Sequence, residues 1–380
     1  MKKLLCMLLA ALMVLTMASF AMAEEAASYK IAVMTGTTSQ GEEEPTTAAK
    51  LVETYGAGKV LYDTYPDNFS SEVETTISKL IAFASDPDVK AIIFVQGVQG
   101  AVSAFTQIKD SLGRDDILLI AGVPAEDPAD ISAAADIVLA VDEIGCGYQV
   151  ADKAAEWGCD VIVHYSFARH LSYETIVAKR DAMKMTAEGY GIEFVERDCP
   201  DPTGDAGMSG AQAAVLEDVP KVMQEYAGKK VCFYCTNCGI QVALQQAVLA
   251  AGDDAYYALP CCPSPFHGYQ EAFGLDATYG DIEGAIVNLA NFLDEKGATG
   301  RFSTWAIPVN MSMINASYEY ACAYAEGKIE KVDEAFLTEC FSKAAGSEAI
   351  LGKYTNATGE ELANYYLIQF SPIDFNDYIG

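Results

Sequence analysis

The feature that most constrains the fold is the alternation of short apolar runs with amphipathic stretches along the 380-residue chain. Runs of strand length occur at residues 30–35, 59–65, 89–96, 117–123 and 137–142, and helix-like stretches at residues 45–55, 70–84 and 101–112 lie between them. This alternation is typical of βα units around a parallel sheet, because each crossover helix covers one face of the sheet. We therefore predict an α/β fold with five strands before Gly145.

The same pattern restarts after Gly145. It predicts strands at residues 160–165, 192–197, 230–235, 256–260 and 302–308, and helices at residues 148–157, 173–188, 212–226, 240–250, 282–295 and 312–325. Two similar doubly wound parallel-sheet lobes joined by a hinge are the economical interpretation, and 51% hydrophobic residues are enough to fill their cores. We assign residues 29–144 and about 309–344 to the first lobe and residues 145–308 to the second. Residues 345–380 are expected to form a C-terminal extension that packs across the lobes.

The first 23 residues have the pattern of a cleavable signal peptide. Lys2 and Lys3 precede an apolar run, and the small-residue sequence Ala21-Met22-Ala23 stands before Glu24. We expect export and a mature chain that begins at Glu24. A retained N-terminal anchor is the alternative.

The charge balance excludes some partners. The chain has 24 basic and 54 acidic residues, a net charge of −30, and loss of Lys2 and Lys3 leaves 22 against 54, or −32. Such a chain repels nucleic acid and anionic membranes, and it disfavours a multiply anionic ligand unless a local basic pocket exists. The simpler interpretation of the acidity is a solvated exterior that maintains solubility.

Ligands of open parallel sheets bind beyond the carboxyl ends of the strands, so polar residues at those ends are the candidates for ligand contact. In the first lobe, Thr35, Thr37 and Thr38 follow the first strand, and Gln96 and Gln99 follow the third. Their hydroxyls and amides are suited to hydrogen bonds with a small polar ligand. Both segments are also compatible with ordinary turns, since Gly, Thr and Ser occur in most loops.

The richest predicted rim lies in the second lobe. Tyr165 and Phe167 could stack on a ring, and Arg169 is the strongest single candidate for contact with a carboxylate or phosphate. His170 follows directly and is one of three histidines in the chain. Further candidate ligand-binding residues are Asp201, Asn237 and Asn310.

The cysteines permit several interpretations. Of the 11 cysteines, Cys6 leaves with the signal peptide, and an even number in an exported protein favours disulfides. The period of a strand places Cys232 and Cys235 on opposite faces, so Cys235, Cys238, Cys261 and Cys262 could gather at one rim. Four thiolates would suit zinc or an iron–sulfur centre, and His267 could join them. Because adjacent cysteines are poor chelators, we favour disulfides or buried free thiols over metal or redox chemistry.

Standard catalytic signatures are absent from the sequence. It has no Gly-x-Ser-x-Gly elbow, no phosphate-binding Gly-rich loop with Lys-Ser/Thr and no His-Glu-x-x-His. We expect neither an enzyme nor a bound cofactor.

Four segments carry a family resemblance: KIAVMTG, AIIFVQGV, ILLIAGVP and TWAIPVNMSMINASYEYACAYAEGK. By their order and spacing, residues 29–333 resemble the class I periplasmic-binding fold of sugar, nucleoside and amino-acid receptors, which is related to the ligand-binding halves of LacI-type repressors. Two departures stand out. The loop aspartate and arginine that often contact sugar hydroxyls have no counterpart that can be placed, and the tail from Ala345 exceeds the usual pattern.

The resemblance implies a monomeric extracytoplasmic solute-binding protein. It would capture a small polar solute in the inter-lobe cleft by hinge closure and present it to the membrane permease of an ABC-type importer. A secreted thiol- or metal-dependent enzyme built around the four cysteines, and a ligand sensor without transport, are the alternatives. A LacI-type repressor is disfavoured, because the signal peptide stands where DNA-binding helices would be and the charge opposes phosphate contact.

Overall fold

The structure is a computed structural model that describes residues 29–39, 42–266, 268–276, 281–356 and 359–380. The predicted signal peptide and His267 lie outside these residues. In the described part of the chain, no helix combines the length and apolar character that a membrane span requires.

The first lobe is built on a seven-stranded sheet in the order β10-β11-β5-β4-β3-β1-β2. Its strands are β1 (Lys30–Thr35), β2 (Val60–Thr64), β3 (Val89–Val95), β4 (Leu118–Gly122), β5 (Ile137–Val141), β10 (Ala349–Thr355) and β11 (Glu361–Phe370). Every pairing is parallel except the β10–β11 hairpin. The central strands are apolar on both faces because helices cover both.

The helices of the first lobe follow the strands in the predicted alternation. They are α1 (Glu43–Tyr55), α2 (Val73–Ser85), α3 (Ala101–Asp110), α4 (Pro128–Ala134), α11 (Val309–Ala325) and α12 (Glu334–Ala345). The N-terminus of α4 illustrates how the local sequence starts a helix. Pro128 occupies the first turn, and the Asp127 carboxylate caps the helix by accepting the N–H of Ala129 at 2.9 Å.

The second lobe has a parallel four-stranded sheet in the order β7-β6-β8-β9. Its elements are α5 (Glu143–Glu156), β6 (Val161–Ser166), α6 (Glu174–Gly189), β7 (Glu193–Asp198), α7 (Gly207–Glu225), β8 (Val231–Cys235), α8 (Cys238–Ala251), β9 (Ala255–Tyr256), α9 (Tyr269–Phe273) and α10 (Ile282–Glu295). Cys232 and Cys235 belong to different hydrophobic clusters, as the strand period requires. The predicted α/β fold with two parallel-sheet lobes is confirmed.

Three passes of the described chain connect the lobes, and side chains tie them together. The Trp305 indole N–H donates to Gln149 Oε1 at 2.8 Å, and Gln149 Nε2 donates to the carbonyl oxygen of Phe370 at 2.6 Å. The Ile373 N–H donates to the carbonyl oxygen of Thr304 at 2.8 Å. The connections between the lobes therefore meet at one place, which is formed by helix α5, the segment before α11 and the chain after β11.

The predicted strand at residues 302–308 is wrong. Only Phe302 pairs with the sheet, through an isolated bridge to Tyr257. The following residues bond to the tail instead, as in the contact of the Ser303 hydroxyl with the carbonyl oxygen of Ile373 at 2.7 Å. Of the strand predicted at residues 256–260, only Tyr256 belongs to a strand, as the second residue of β9.

The tail contacts both lobes. Strands β10 and β11 extend the first sheet, and a short 3-10 turn, Phe375–Tyr378, packs on α10 of the second lobe. The Thr299 hydroxyl donates to Asn376 Oδ1 at 2.7 Å across this contact.

Candidate ligand-binding cleft

A cavity of about 450 Å³ lies between the lobes. Its first-lobe wall consists of the first turn of α1, residues at the carboxyl ends of β3, β4 and β5, and the start of α11. Its second-lobe wall consists of Glu143, Cys262, Pro263 and Ser264, and the crossing segment supplies Trp305 and Pro308. The cavity lies where parallel α/β sheets bind ligands, and its volume is in the range of small-molecule sites.

The centre of the polar wall is the buried carboxylate of Glu44, which is 3% exposed. Glu44 Oε1 accepts hydrogen bonds from Gln96 Nε2 at 2.8 Å and from Asn310 Nδ2 at 2.5 Å. Gln96 Oε1 in turn accepts the Tyr65 hydroxyl at 3.0 Å. The amide donors and the N-terminus of α1 stabilise the carboxylate, and these three side chains stand in a fixed arrangement.

Two residues of the wall have strained backbone. Gln96 has φ 57° and Val123 has φ 46°, and both values lie in the left-handed region that a β-branched residue rarely adopts. The Val123 N–H donates to the carbonyl oxygen of Leu139 at 2.7 Å, and the Gly97 N–H donates to that of Gly122 at 3.0 Å. These bonds hold the ends of β3 and β4 in place, and such strain often accompanies a binding function.

The cavity is acidic. Glu42, Glu43, Glu44 and Glu143 line it, whereas none of its described lining residues is Lys or Arg. Glu143 pairs with Lys179 of α6. Burial disfavours the charge of Lys179, yet the charge of the paired Glu143 carboxylate helps to hold the pKa of the ammonium above its usual value. The local field therefore favours cations and hydrogen-bond donors and repels anions.

A cysteine cluster adjoins this cleft. The Cys238 sulfur lies 3.1 Å from that of Cys261 and 3.4 Å from that of Cys262. Thiol hydrogen bonds from Cys261 and Cys262 lower the pKa of Cys238 to about 4. Glu43 and Cys262 line the inter-lobe cavity, and Glu43 and Cys238 line a second cavity of about 630 Å³. The cysteine cluster therefore stands between the two cavities.

The cluster has three of the four predicted cysteines. Cys235 is buried, and its thiol donates to the carbonyl oxygen of Asn237 at 3.6 Å. No disulfide joins the ten cysteines of the described residues, so the predicted disulfides are not confirmed. Several thiols that lie close together can also ligate a metal ion such as zinc.

The predicted second-lobe rim forms a network of its own. The Arg169 guanidinium donates to both carboxylate oxygens of Asp201, at 2.7 and 2.9 Å, and lies 5.3 Å from the Phe167 ring. This ion pair holds the pKa of the Asp201 carboxyl well below its usual value. His170 contacts Asn237 at 3.3 Å, and burial together with the Arg169 charge lowers the pKa of its imidazole. None of these residues lines the inter-lobe cavity.

The other predicted rim residues have different surroundings. Tyr165 lies in the second-lobe core and donates its hydroxyl to Asp218 at 3.0 Å. Thr35 is buried, and its hydroxyl donates to the carbonyl oxygen of Gly36 at 2.8 Å. Thr37 bonds to the Asp67 carboxylate, and Thr38 is exposed in the same loop. Gln99 borders a separate groove.

Of the predicted ligand-binding residues, the cavity wall therefore includes Gln96 and Asn310. Sequence reasoning missed the glutamates of α1, because acidic residues in a first helical turn ordinarily compensate the helix dipole. One signal was present: Glu44 stands at the mouth of the first βα loop, directly before Pro45.

The two parallel-sheet lobes and the cleft at the ends of their strands define the class: this is the class I periplasmic-binding fold. The chain belongs to the family described as "Protein of unknown function (DUF3798)", which matches residues 29–303.

Two proteins of Treponema pallidum (strain Nichols), each named "Uncharacterized protein", are similar in sequence. One is 37% identical over 182 residues, covering 46% of this chain and 81% of that protein. The other is 35% identical over 178 residues, covering 46% and 79%.

Solved structures support the fold. A "Putative transcriptional regulator" from Clostridium difficile 630 superimposes with a TM-score of 0.82 and 20% identity, covering 91% of this chain and 98% of that one. A sugar ABC transporter from Actinomyces odontolyticus ATCC 17982 gives a TM-score of 0.51 and 11% identity, covering 80% and 86%. At these identities, the comparison concerns the fold alone.

Proposed function

We propose that this chain is an exported, non-enzymatic solute-binding protein that captures a small polar solute between its lobes and presents it to a membrane importer. The solute is neutral or cationic, and hinge closure buries it. The observation that carries the proposal is the cleft itself, a cavity of about 450 Å³. In its wall, Glu44 Oε1 accepts hydrogen bonds from Asn310 Nδ2 at 2.5 Å and from Gln96 Nε2 at 2.8 Å.

The charge of the cleft supports the choice of solute. Glu143 is paired with Lys179, and three further glutamates line the cavity with no described basic residue among the lining side chains. A carboxylate about 4 Å from a ligand cation contributes up to about 4 kcal/mol at an effective dielectric constant of 20, and the same field opposes an anion. Carbonyl and carboxylate oxygens also accept hydrogen bonds from neutral hydroxyls and amides.

The connections between the lobes support closure. The three passes meet at Gln149, Trp305 and Phe370, so a small rotation there changes the separation of the two cavity walls. Export is supported by the N-terminal pattern of two lysines, an apolar run and a small-residue site. The importer is supported by the name of the Actinomyces neighbour, a sugar ABC transporter.

The test is a ligand screen on residues 24–380. Native mass spectrometry detects a co-purified organic solute, and thermal unfolding against sugars, amino acids, polyamines and nucleosides detects added ones. A solute at 100 times its Kd stabilises the folded chain by about 2.7 kcal/mol, which raises Tm by several degrees. Absence of both a co-purified solute and a stabilising compound would contradict the proposal.

A matched pair of variants locates the site. Glu44→Gln replaces the carboxylate of the cleft wall with a neutral amide of nearly the same shape, so it should weaken the binding of a cationic solute at least about tenfold. Glu53→Gln removes the same charge from the exposed side of the same helix and should leave the affinity unchanged. Equal effects of the two substitutions would place the solute elsewhere.

A further inference from the structure

The thiols of Cys238, Cys261 and Cys262 converge on one point at the second-lobe wall. Their sulfur atoms all lie within 4.8 Å of one another, including those of the adjacent Cys261 and Cys262, so adjacency in sequence does not keep these two thiols apart in the folded chain. They come from two segments, the first residue of α8 and the loop after β9, which the parallel pairing of β8 with β9 brings together. The arrangement therefore belongs to the folded sheet rather than to a local sequence motif.

The spacing suits a metal ion. A tetrahedral zinc ion at about 2.3 Å from each sulfur requires the sulfurs to stand about 3.8 Å apart. The observed separations of 3.1 and 3.4 Å approach that value, and an outward shift of about half an ångström per pair would reach the zinc geometry.

The surroundings favour a cation as well. Glu43 lines both cavities that border the cluster. On the inner side, Gln241 Oε1 accepts the Cys261 N–H at 3.3 Å, which fixes the backbone position of that ligand. The Asn237 side chain accepts the Gly239 N–H at 2.9 Å and so holds the first turn of α8 that presents Cys238.

The cluster is open on one side. Cys262 is exposed, whereas Cys261 is buried. Three thiolates on the protein side and an open side toward solvent match a three-ligand site whose fourth position remains for water or an incoming donor.

We propose that Cys238, Cys261 and Cys262 bind one thiophilic metal ion of the zinc class through three thiolates, with the fourth position facing the inter-lobe cleft. All three ligands belong to the second lobe, so the site is complete without solute capture and goes beyond the proposed function.

Zinc binding to residues 24–380 tests this. The reduced, metal-free chain is titrated with zinc alone against a chromophoric chelator, without solute and without oxygen. We expect one zinc per chain, confirmed by native mass spectrometry, and a thiolate-to-metal absorption band when cadmium replaces zinc.

Substitutions assign the ligands. Cys238→Ser and Cys262→Ser should each weaken zinc at least about 100-fold, because even loss of an outer-shell partner of a metal ligand commonly costs 10- to 100-fold. Cys322→Ser is the matched control, since Cys322 is a partly buried thiol on α11 outside the cluster, and it should retain the wild-type affinity. Circular dichroism of each variant establishes that it is folded.

Three results would overturn the proposal: no zinc bound by the reduced chain, an unchanged affinity in folded Cys238→Ser, or a Cys238–Cys261 disulfide whose reduction restores no zinc binding. Solute capture is measured separately on chelator-treated protein. A chain that binds zinc but no solute supports the metal site and contradicts the receptor, whereas one that binds solute but no zinc does the reverse.

Discussion

The buried imidazole of His164 should make the protein sensitive to acid. His164 lies in the middle of β6, is 1% exposed, and stands between the rings of Phe194 and Tyr234 at 5.7 and 5.8 Å. Neither ring nitrogen has a hydrogen-bond partner among the described residues. Burial, followed by the charges of Arg180 and Lys179, lowers the pKa of the imidazole from 6.5 to about 3.

The direction and the size of this pH effect on the free energy of unfolding follow from proton linkage. The unfolded chain takes up a proton on this imidazole below pH 6.5, whereas the folded chain does not until about pH 3. The free energy of unfolding therefore falls with decreasing pH in this window, by about 1.4 kcal/mol per pH unit. From pH 7.5 to 4.5 this single residue contributes a loss of about 3 kcal/mol, most of it below pH 6.5.

The assay compares the wild type with His164→Phe, which keeps an aromatic ring at this position and removes the titration. Urea unfolding, followed by the fluorescence of Trp157 and Trp305, is measured from pH 7.5 to 4.5. We expect the variant to gain about 3 kcal/mol relative to the wild type over the acidic part of this range, because the other titrating groups cancel in the difference.

A second substitution separates titration from packing. His164→Leu has no ring to stack, so its stability at pH 7.5 should be lower than that of His164→Phe, yet both should have the same pH dependence. A difference between wild type and His164→Phe that stays constant from pH 7.5 to 4.5 would refute the reasoning.

Four further substitutions test the packing and the backbone strain of the lobes by urea unfolding. In Gly147→Ala the new Cβ would lie 2.3 Å from a backbone carbonyl oxygen of α6, so separation of α5 and α6 should reduce the unfolding free energy by about 1–3 kcal/mol. Gly189→Ala, which meets open space at the end of α6, should raise it by up to about 1 kcal/mol. Val123→Gly relieves a φ of 46° and should leave stability equal or higher by up to about 1 kcal/mol. Gln149→Leu leaves the Trp305 indole N–H without its acceptor and should cost about 1–3 kcal/mol.

Each of these has an opposite outcome that would contradict it. Equal stability of the two Gly→Ala variants would mean that α5 and α6 are not in close contact. Val102→Gly, on α3, is the control for Val123→Gly, and it should lower the free energy of unfolding by about 1 kcal/mol. A similar decrease in Val123→Gly would exclude stored backbone strain at Val123. For Gln149, an unchanged Trp305 emission and stability would show that the crossing does not depend on this hydrogen bond.

Local patterns predicted the elements that lie inside the sheets. The apolar run before Gly36 became β1, and the run of β3 became a strand buried on both faces, because strand and helix periods are properties of neighbouring residues. The same reasoning failed at residues 302–308, where an apolar run bonds to the tail at Ile373 instead of joining a sheet. It also did not predict that β11 pairs with β5, since those strands are more than 200 residues apart.

The candidate site likewise combines features that the local sequence predicts with contacts that it does not. The sequence placed Gln96 and Cys262 at rims, because both follow strands, and the position after a strand is a local property. Arg169 was equally well placed by that rule, yet Asp201, 32 residues away, occupies its guanidinium. A partner at that separation is chosen by the pairing of β6 with β7, which sequence period does not encode.

By itself, the sequence determined that the chain alternates strands and helices in two parallel-sheet lobes, and that polar groups stand where strands end. Only the tertiary structure decided which of those groups face one another. Glu44 and Asn310 are 266 residues apart, and Cys238 meets Cys261 across two segments. Such contacts depend on how the whole sheets pack and cross, because side-chain convergence is a property of the folded backbone rather than of neighbouring residues.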